Sequence, residues 1–167
     1  MSIGVALGVP AGATADDPPK RGADMHADNH TVGQAGSFAY EKWPGQFFSF
    51  WTKFRGQKPK TTKDIRYFGF TAGAEEKVEI LRRKFPLKVG RYEAVKVRFS
   101  WNHLWKAATQ VGTYLDRKHP GLADGTLSLF TGHNAFEMTF TRRAPKVKRY
   151  ILKRWKGAIR IKQPARG

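Results

Sequence analysis

The chain has 167 residues, 40% apolar and 13% aromatic, with a formal net charge of +18 and no cysteine. This length suits one domain with extensions, and the apolar share is enough for a packed core, which excludes a fully disordered polycation. The lack of cysteine excludes disulfides, thiolate zinc sites and cysteine nucleophiles, and no run approaches the ~18–20 apolar residues of a membrane span.

Residues 1–37 are rich in Gly, Ala, Asp and Pro and offer little to bury. Residues 1–40 hold four acids and two bases, whereas residues 41–167 hold 29 bases and nine acids. The composition predicts an extended arm over 1–37, wrapped on protein partners, because its acidic lean suits neither RNA nor anionic lipid. Met1 to Ala15 ends in Ala13-Thr14-Ala15, which imitates a leader cleavage site. It lacks a basic start and a strong apolar stretch, so secretion is not expected. Asp24, His26, Asp28 and His30 are metal-ligand types, but a floppy arm gives them no fixed geometry, and no metal site is expected.

Residues 38–90 form an aromatic and basic segment followed by one helix. Trp43-Pro44-Gly45 is a turn signal. Phe47, Phe50, Trp51 and Phe54 fall at i, i+3, i+4, i+7, which predicts one face of a short amphipathic helix. Flanked by Lys42, Lys53 and Arg55, that face could pack on the protein, dip into a lipid interface or stack on bases. The stretch 56–63 is a loop whose Lys58, Lys60 and Lys63 could hold phosphates. Residues 74–85 predict a helix, with Glu75 and Glu76 early and Arg82, Arg83 and Lys84 late, in agreement with the helix dipole.

Residues 91–167 have the clearest grammar. Val95, Val97 and Phe99 alternate with charged neighbours, a half-buried strand. Ser100 is an N-cap, and Trp101, Leu104, Trp105, Ala108, Val111 and Leu115 recur at helical spacing until His119-Pro120-Gly121. Residues 126–130 and 135–141 predict two strands around a hairpin-length loop, with Phe136, Met138 and Phe140 on one face. That alternation marks core packing and does not support an RNA-reading sheet. Pro145 suits a first helical position. Val147, Ile151 and Trp155 make the stripe of a basic helix, Gly157 stops it, and residues 158–161 predict a last strand. The order β-α-β-β-α-β over 91–162 predicts an α+β, ferredoxin-like core, a four-stranded antiparallel sheet with two helices on one face.

From Met138 to Gly167 there are eleven Lys and Arg and no acid. Crowding like charges is unfavourable unless a polyanion meets them. Arg142, Arg143, Lys146, Lys148, Arg149, Lys153, Arg154 and Lys156 are the candidate polyanion-binding residues, with Lys58, Lys60 and Lys63 as a second contact. Such a surface releases counterions from a phosphate backbone. Phosphate-binding glycine loops, nucleophile elbows and His-Glu-x-x-His are absent from the sequence. No carboxylate pair is placed for acid–base work, so neither an enzyme, a cofactor nor a small-molecule substrate is expected.

The expected function is a non-catalytic structural subunit of a large assembly that binds several protein subunits and large RNA. The βαββαβ order and basic charge are shared with several ribosomal proteins, a likeness of fold only. The Trp and Phe content turns the expectation toward an organellar, mitochondrial ribosome and its rRNA. The alternative is a peripheral accessory subunit of a mitochondrial inner-membrane complex, an ATP synthase or respiratory chain. The basic tail would then meet anionic lipid or acidic neighbouring subunits, with Phe47, Phe50, Trp51 and Phe54 at the interface.

Overall fold

The computed structural model describes residues 21–53, 65–88, 90–130 and 133–165. Among these the chain is α+β, with four helices and two three-stranded mixed sheets. The elements run α1 (Arg21–Lys42), β1 (Phe47–Lys53), β2 (Ile65–Phe70), α2 (Ala74–Lys84), β3 (Arg91–Lys96), α3 (Trp101–Lys118), β4 (Ala123–Phe130), β5 (Ala135–Phe140), α4 (Pro145–Arg154) and β6 (Ile159–Lys162). In the first sheet β1 is antiparallel to β2, and β2 is parallel to β3. The second sheet repeats this with β4, β5 and β6. No described helix is long and apolar enough to cross a membrane.

From β3 to β6 the succession is the expected β-α-β-β-α-β, but its strands are divided between sheets. β3 bonds along β2, with Phe68 opposite Ala94, so two three-stranded sheets stand where one four-stranded sheet was predicted. The cause lies upstream. Residues 47–53 are a strand, not a helix, and their hairpin with β2 supplies an edge for β3. The helical spacing of the aromatics was imitated by a bulge. Phe47 faces Phe70 and Phe50 faces Phe68, three steps on β1 against two on β2. The extra residue returns Phe47 and Phe50 to one sheet face, where strict alternation would have parted them.

Residues 21–37 correct the arm prediction as well, because they belong to α1, while residues 1–20 lie outside the described residues. Small residues at 35, 36 and 39 let this helix approach a sheet closely. Ala35 and Ala39 are fully buried, and a Cβ at Gly36 would run into the Phe50 ring. Composition that reads as disorder is here the contact surface of a packed helix.

The two sheets belong to two copies of one unit, α-β-β-α-β. Adding 76 to a residue number in α1 or its following turn gives the matching residue in the second unit. Val32, Ala35 and Ala39 match Ala108, Val111 and Leu115, all buried. Gly36 matches Gly112, and Lys42-Trp43-Pro44-Gly45 matches Lys118-His119-Pro120-Gly121. From β2 through α2 the offset becomes 70. Phe70-Thr71 matches Phe140-Thr141, Ala74 matches Ala144, and the buried Leu81 matches Ile151. Turn hydrogen bonds recur between the units. Thr71 N–H donates to Gln46 O at 2.9 Å, and Thr141 N–H donates to Leu122 O at 2.8 Å. The Phe38–Trp43 and Phe38–Phe85 ring contacts recur as Tyr114–His119 and Tyr114–Trp155.

Each unit has its own core. α1 and α2 cover one face of the first sheet with Val32, Ala35, Ala39, Val78 and Leu81, against Phe47, Phe68, Phe70 and Tyr92. α3 and α4 cover the second sheet with Leu104, Val111, Leu115 and Ile151, against Phe136, Met138, Phe140 and Ile159. The units join because Phe48, on the opposite face of β1, enters the second core. Asn134 fixes the link between them. Its Oδ1 accepts from Phe99 N–H at 2.6 Å and its Nδ2 donates to Phe99 O at 2.9 Å. It sits at φ 47°, a left-handed conformation that asparagine tolerates better than most residues.

The first core holds a polar cluster that the second lacks. Asp28, Arg66 and Tyr92 are each 2% exposed. At the matching places, pairing with the same neighbours, the second unit has Leu104, Phe136 and Ile159. The buried Tyr92 hydroxyl makes no hydrogen bond among the described residues. Burial raises its pKa well above the usual tyrosine range. The Asp28 carboxylate adds to the rise and the Arg66 guanidinium opposes it. An unfolded chain therefore ionises this phenol first, so folding stability should fall as pH climbs past about 10. Tyr92→Phe is expected to be tolerated and to flatten that alkaline slope, measured by urea unfolding across alkaline pH. An unchanged slope would remove Tyr92 as its source.

Candidate nucleic-acid interface

Helix α4 starts at Pro145, whose fixed φ and missing N–H suit a first helical position. Val147 and Ile151, one turn apart, turn inward, and Ile151 is fully buried. The helix ends where Trp155 N–H donates to Ile151 O at 2.9 Å, and Gly157, at φ 80°, redirects the chain into β6. Ten residues make a rod of ~15 Å.

The predicted bases cluster on and beside this rod. Arg142 and Arg143 are exposed in the turn before it, and Lys146, Arg149, Lys153 and Arg154 are exposed along it. Lys148 is half-buried, and Lys156 is exposed just beyond. None of the eight forms an ion pair among the described residues, while Arg154 lies 5.3 Å from the Trp155 ring centre. Lys148, Arg149 and Lys153 border a shallow hollow with Leu152 and Gln163. Lys58, Lys60 and Lys63 lie outside the described residues.

The opposite side of α4 faces α3 across a groove of about 760 Å³. α4 and its C-cap contribute Tyr150, Arg154 and Trp155; α3 contributes Trp105, Gln110, Tyr114, Lys106, Arg117 and Lys118. The rings are held in place. Tyr114 lies 4.9 Å from Tyr150 between centres, its hydroxyl meets His119 Nε2 at 3.1 Å, and Trp155 Nε1 donates to Gln110 Oε1 at 3.0 Å. Trp105 and Tyr150 remain 53% and 43% exposed, so apolar ring faces sit open beside four bases. No acid lines the groove.

Sequence reasoning missed half of this groove. It placed Trp105 in the apolar stripe of α3, yet that ring stands at the stripe's edge. The signal was available in Lys106, Thr109, Gln110, Thr113 and Arg117, which recur at i, i+3, i+4, i+7, i+11 as a polar helix face without an acid.

The aromatics of β1 do not form one surface. Phe47 is buried against Phe68 and Phe70, while Phe50 stacks on Phe68 at 5.5 Å. Trp51 lies on the other face, stacked on Tyr67 at 5.7 Å. Phe54 lies outside the described residues. Phe136, Met138 and Phe140 are buried core residues, as their alternation predicted.

The first unit shows that the fold does not require a basic second helix. With the offset of 70, Glu75, Glu76 and Glu79 of α2 stand where α4 has Pro145, Lys146 and Arg149. Glu79 pairs with Arg82 at 3.2 Å and Arg83 at 3.1 Å, and these hydrogen bonds hold its carboxyl below the usual range. α4 has no such internal neutralisation. Its first turn carries no acid, although an acid there would suit the positive end of the helix dipole. No model of a known protein family matches the chain, and no curated protein matches it.

Proposed function

We propose that this chain is a non-catalytic structural subunit that docks on folded RNA, most specifically rRNA within a mitochondrial ribosome. The contrast between α2 and α4 carries the reading. One architecture is built twice, and only the second copy replaces three acids of this helix by a proline and two bases. That departure weakens an isolated helix, and departures of this kind concentrate where function requires them. Residues 101–162 hold thirteen Lys and Arg against three acids, a density that a phosphate backbone neutralises. A ferredoxin-like kinship, proposed on the succession of β3 to β6, rests on that order alone.

The mitochondrial setting rests on five Trp and twelve Phe, a content suited to an assembly rich in protein–protein contacts. The alternative, a peripheral subunit of an inner-membrane complex, shares the basic tail with the RNA reading and adds an aromatic stripe at the interface. Phe47 is buried and Trp51 lies on the other sheet face, so that stripe does not support it. The two readings separate on the native particle. Nuclease treatment is expected to release the chain and mild detergent to leave it bound. Release by detergent, with no RNA co-purifying, would overturn the RNA reading.

A further inference from the structure

We infer that the groove between α3 and α4 takes an unpaired nucleotide of the RNA, its base stacked on Trp105 or Tyr150 and its phosphates held by the surrounding bases. This rests on the RNA reading above and specifies what one side of α4 recognises. The groove's volume, about 760 Å³, lies in the range of small-ligand clefts. Exposed rings next to cations are the combination by which proteins hold unstacked bases, because every base has a π-face and every nucleotide a phosphate. A duplex offers no free base to such a groove.

The internal duplication provides the control. With the offsets of 76 and 70, Trp105 matches Asn29, Arg117 matches Glu41 and Tyr150 matches Ile80. The first unit therefore builds the same helix pair without either open ring and with an acid in place of Arg117. Its equivalent of Tyr114, Phe38, is instead covered by Lys84, whose Nζ lies 4.1 Å from the ring centre. The fold needs neither aromatic at these positions, and the change from Glu41 to Arg117 makes the second groove the more favourable to phosphate.

The same comparison supplies variants that the architecture accommodates. The full chain would be titrated with an oligouridine, an abasic oligonucleotide of equal length and an RNA duplex of equal length. The oligouridine is expected to bind more tightly than the abasic strand. At least one of Trp105→Asn and Tyr150→Ile, whichever removes the ring that holds the base, should weaken oligouridine binding roughly 5- to 150-fold, the range that stacking on one aromatic covers. Abasic and duplex affinities should not move, and Trp105→Phe should restore the loss at that position. Equal, salt-dependent binding of oligouridine and abasic strand, unaffected by either variant, would overturn this inference and leave RNA docking standing. Failure of all three probes to bind in a salt-dependent way would overturn both.

Discussion

Asp28→Ala is expected to destabilise the fold by roughly 3–5 kcal/mol, the range for leaving a buried charge uncompensated. Asp28 and Arg66 are the two charged side chains buried among the described residues, and they lie beside the same Tyr92 ring. Arg66 is anchored in place, donating to Thr52 Oγ1 at 3.0 Å and to Asn29 Oδ1 at 3.2 Å. Removing the carboxylate leaves this guanidinium as the one buried charge beside Tyr92 among the described residues. It also strips Lys88 N–H of its acceptor, Asp28 Oδ1 at 2.8 Å. At about 2–4 °C per kcal/mol for a chain of this size, the midpoint of melting should fall by roughly 6–20 °C. Asp28→Asn keeps an oxygen for Lys88 and should lose less.

The second unit indicates how the loss could be avoided. Leu104, Phe136 and Ile159 fill the equivalent space with apolar atoms. Exchanging all three residues together, Asp28→Leu with Arg66→Phe and Tyr92→Ile, is expected to be far less damaging than Asp28→Ala alone. Buried ion pairs replaced as a set by well-packed apolar groups are often neutral in stability. Urea unfolding of the three variants checks the ordering. An Asp28→Ala variant within about 0.5 kcal/mol of the parent, the range of surface substitutions, would mean that Asp28 does not compensate the buried charge of Arg66.

The second half of the chain was the more legible. Ser100 does accept from His103 N–H at 3.3 Å, and α3 and α4 begin at Trp101 and Pro145 as their spacing predicts. Capping chemistry and helical periodicity are local, so one stretch of sequence carries them whole. The first half misled for equally local reasons. The Phe47–Phe50 bulge turned a strand pattern into a helical one, and glycine and alanine that bring α1 close to β1 looked like an unstructured arm. The duplication was hidden because loop lengths shift the offset from 76 to 70. It survives at scattered positions, such as Gly36 and Gly112 or Pro44 and Pro120. The eight bases of the α4 region were legible as a run of like charge. The groove was not, since Lys106, Arg117 and Lys118 come from a helix some forty positions earlier in the chain.

Neutralising Arg142, Arg143, Lys146 and Arg149 should have opposite effects on binding and on stability. These residues lie in the turn before α4 and along the helix, exposed and without ion pairs among the described residues. Lys146 opposes the helix dipole, so Lys146→Gln should leave folding unchanged or raise it by a few tenths of a kcal/mol. RNA affinity should fall at low salt, because each neutralised phosphate had released condensed counterions. Loss of affinity through misfolding would lower both quantities together, so the opposed signs separate docking from a structural role.

The most direct test of RNA docking by α4 is therefore the salt dependence of binding between the full chain and a folded RNA. If each of the eight bases meets about one phosphate, the parent should lose about 10³–10⁵ in affinity between roughly 50 and 200 mM salt. The fourfold variant should give a plot of log affinity against log salt that is shallower by about 3–4 units. Parallel lines for parent and variant would place the RNA elsewhere on the protein and contradict the assignment of α4 as the docking surface.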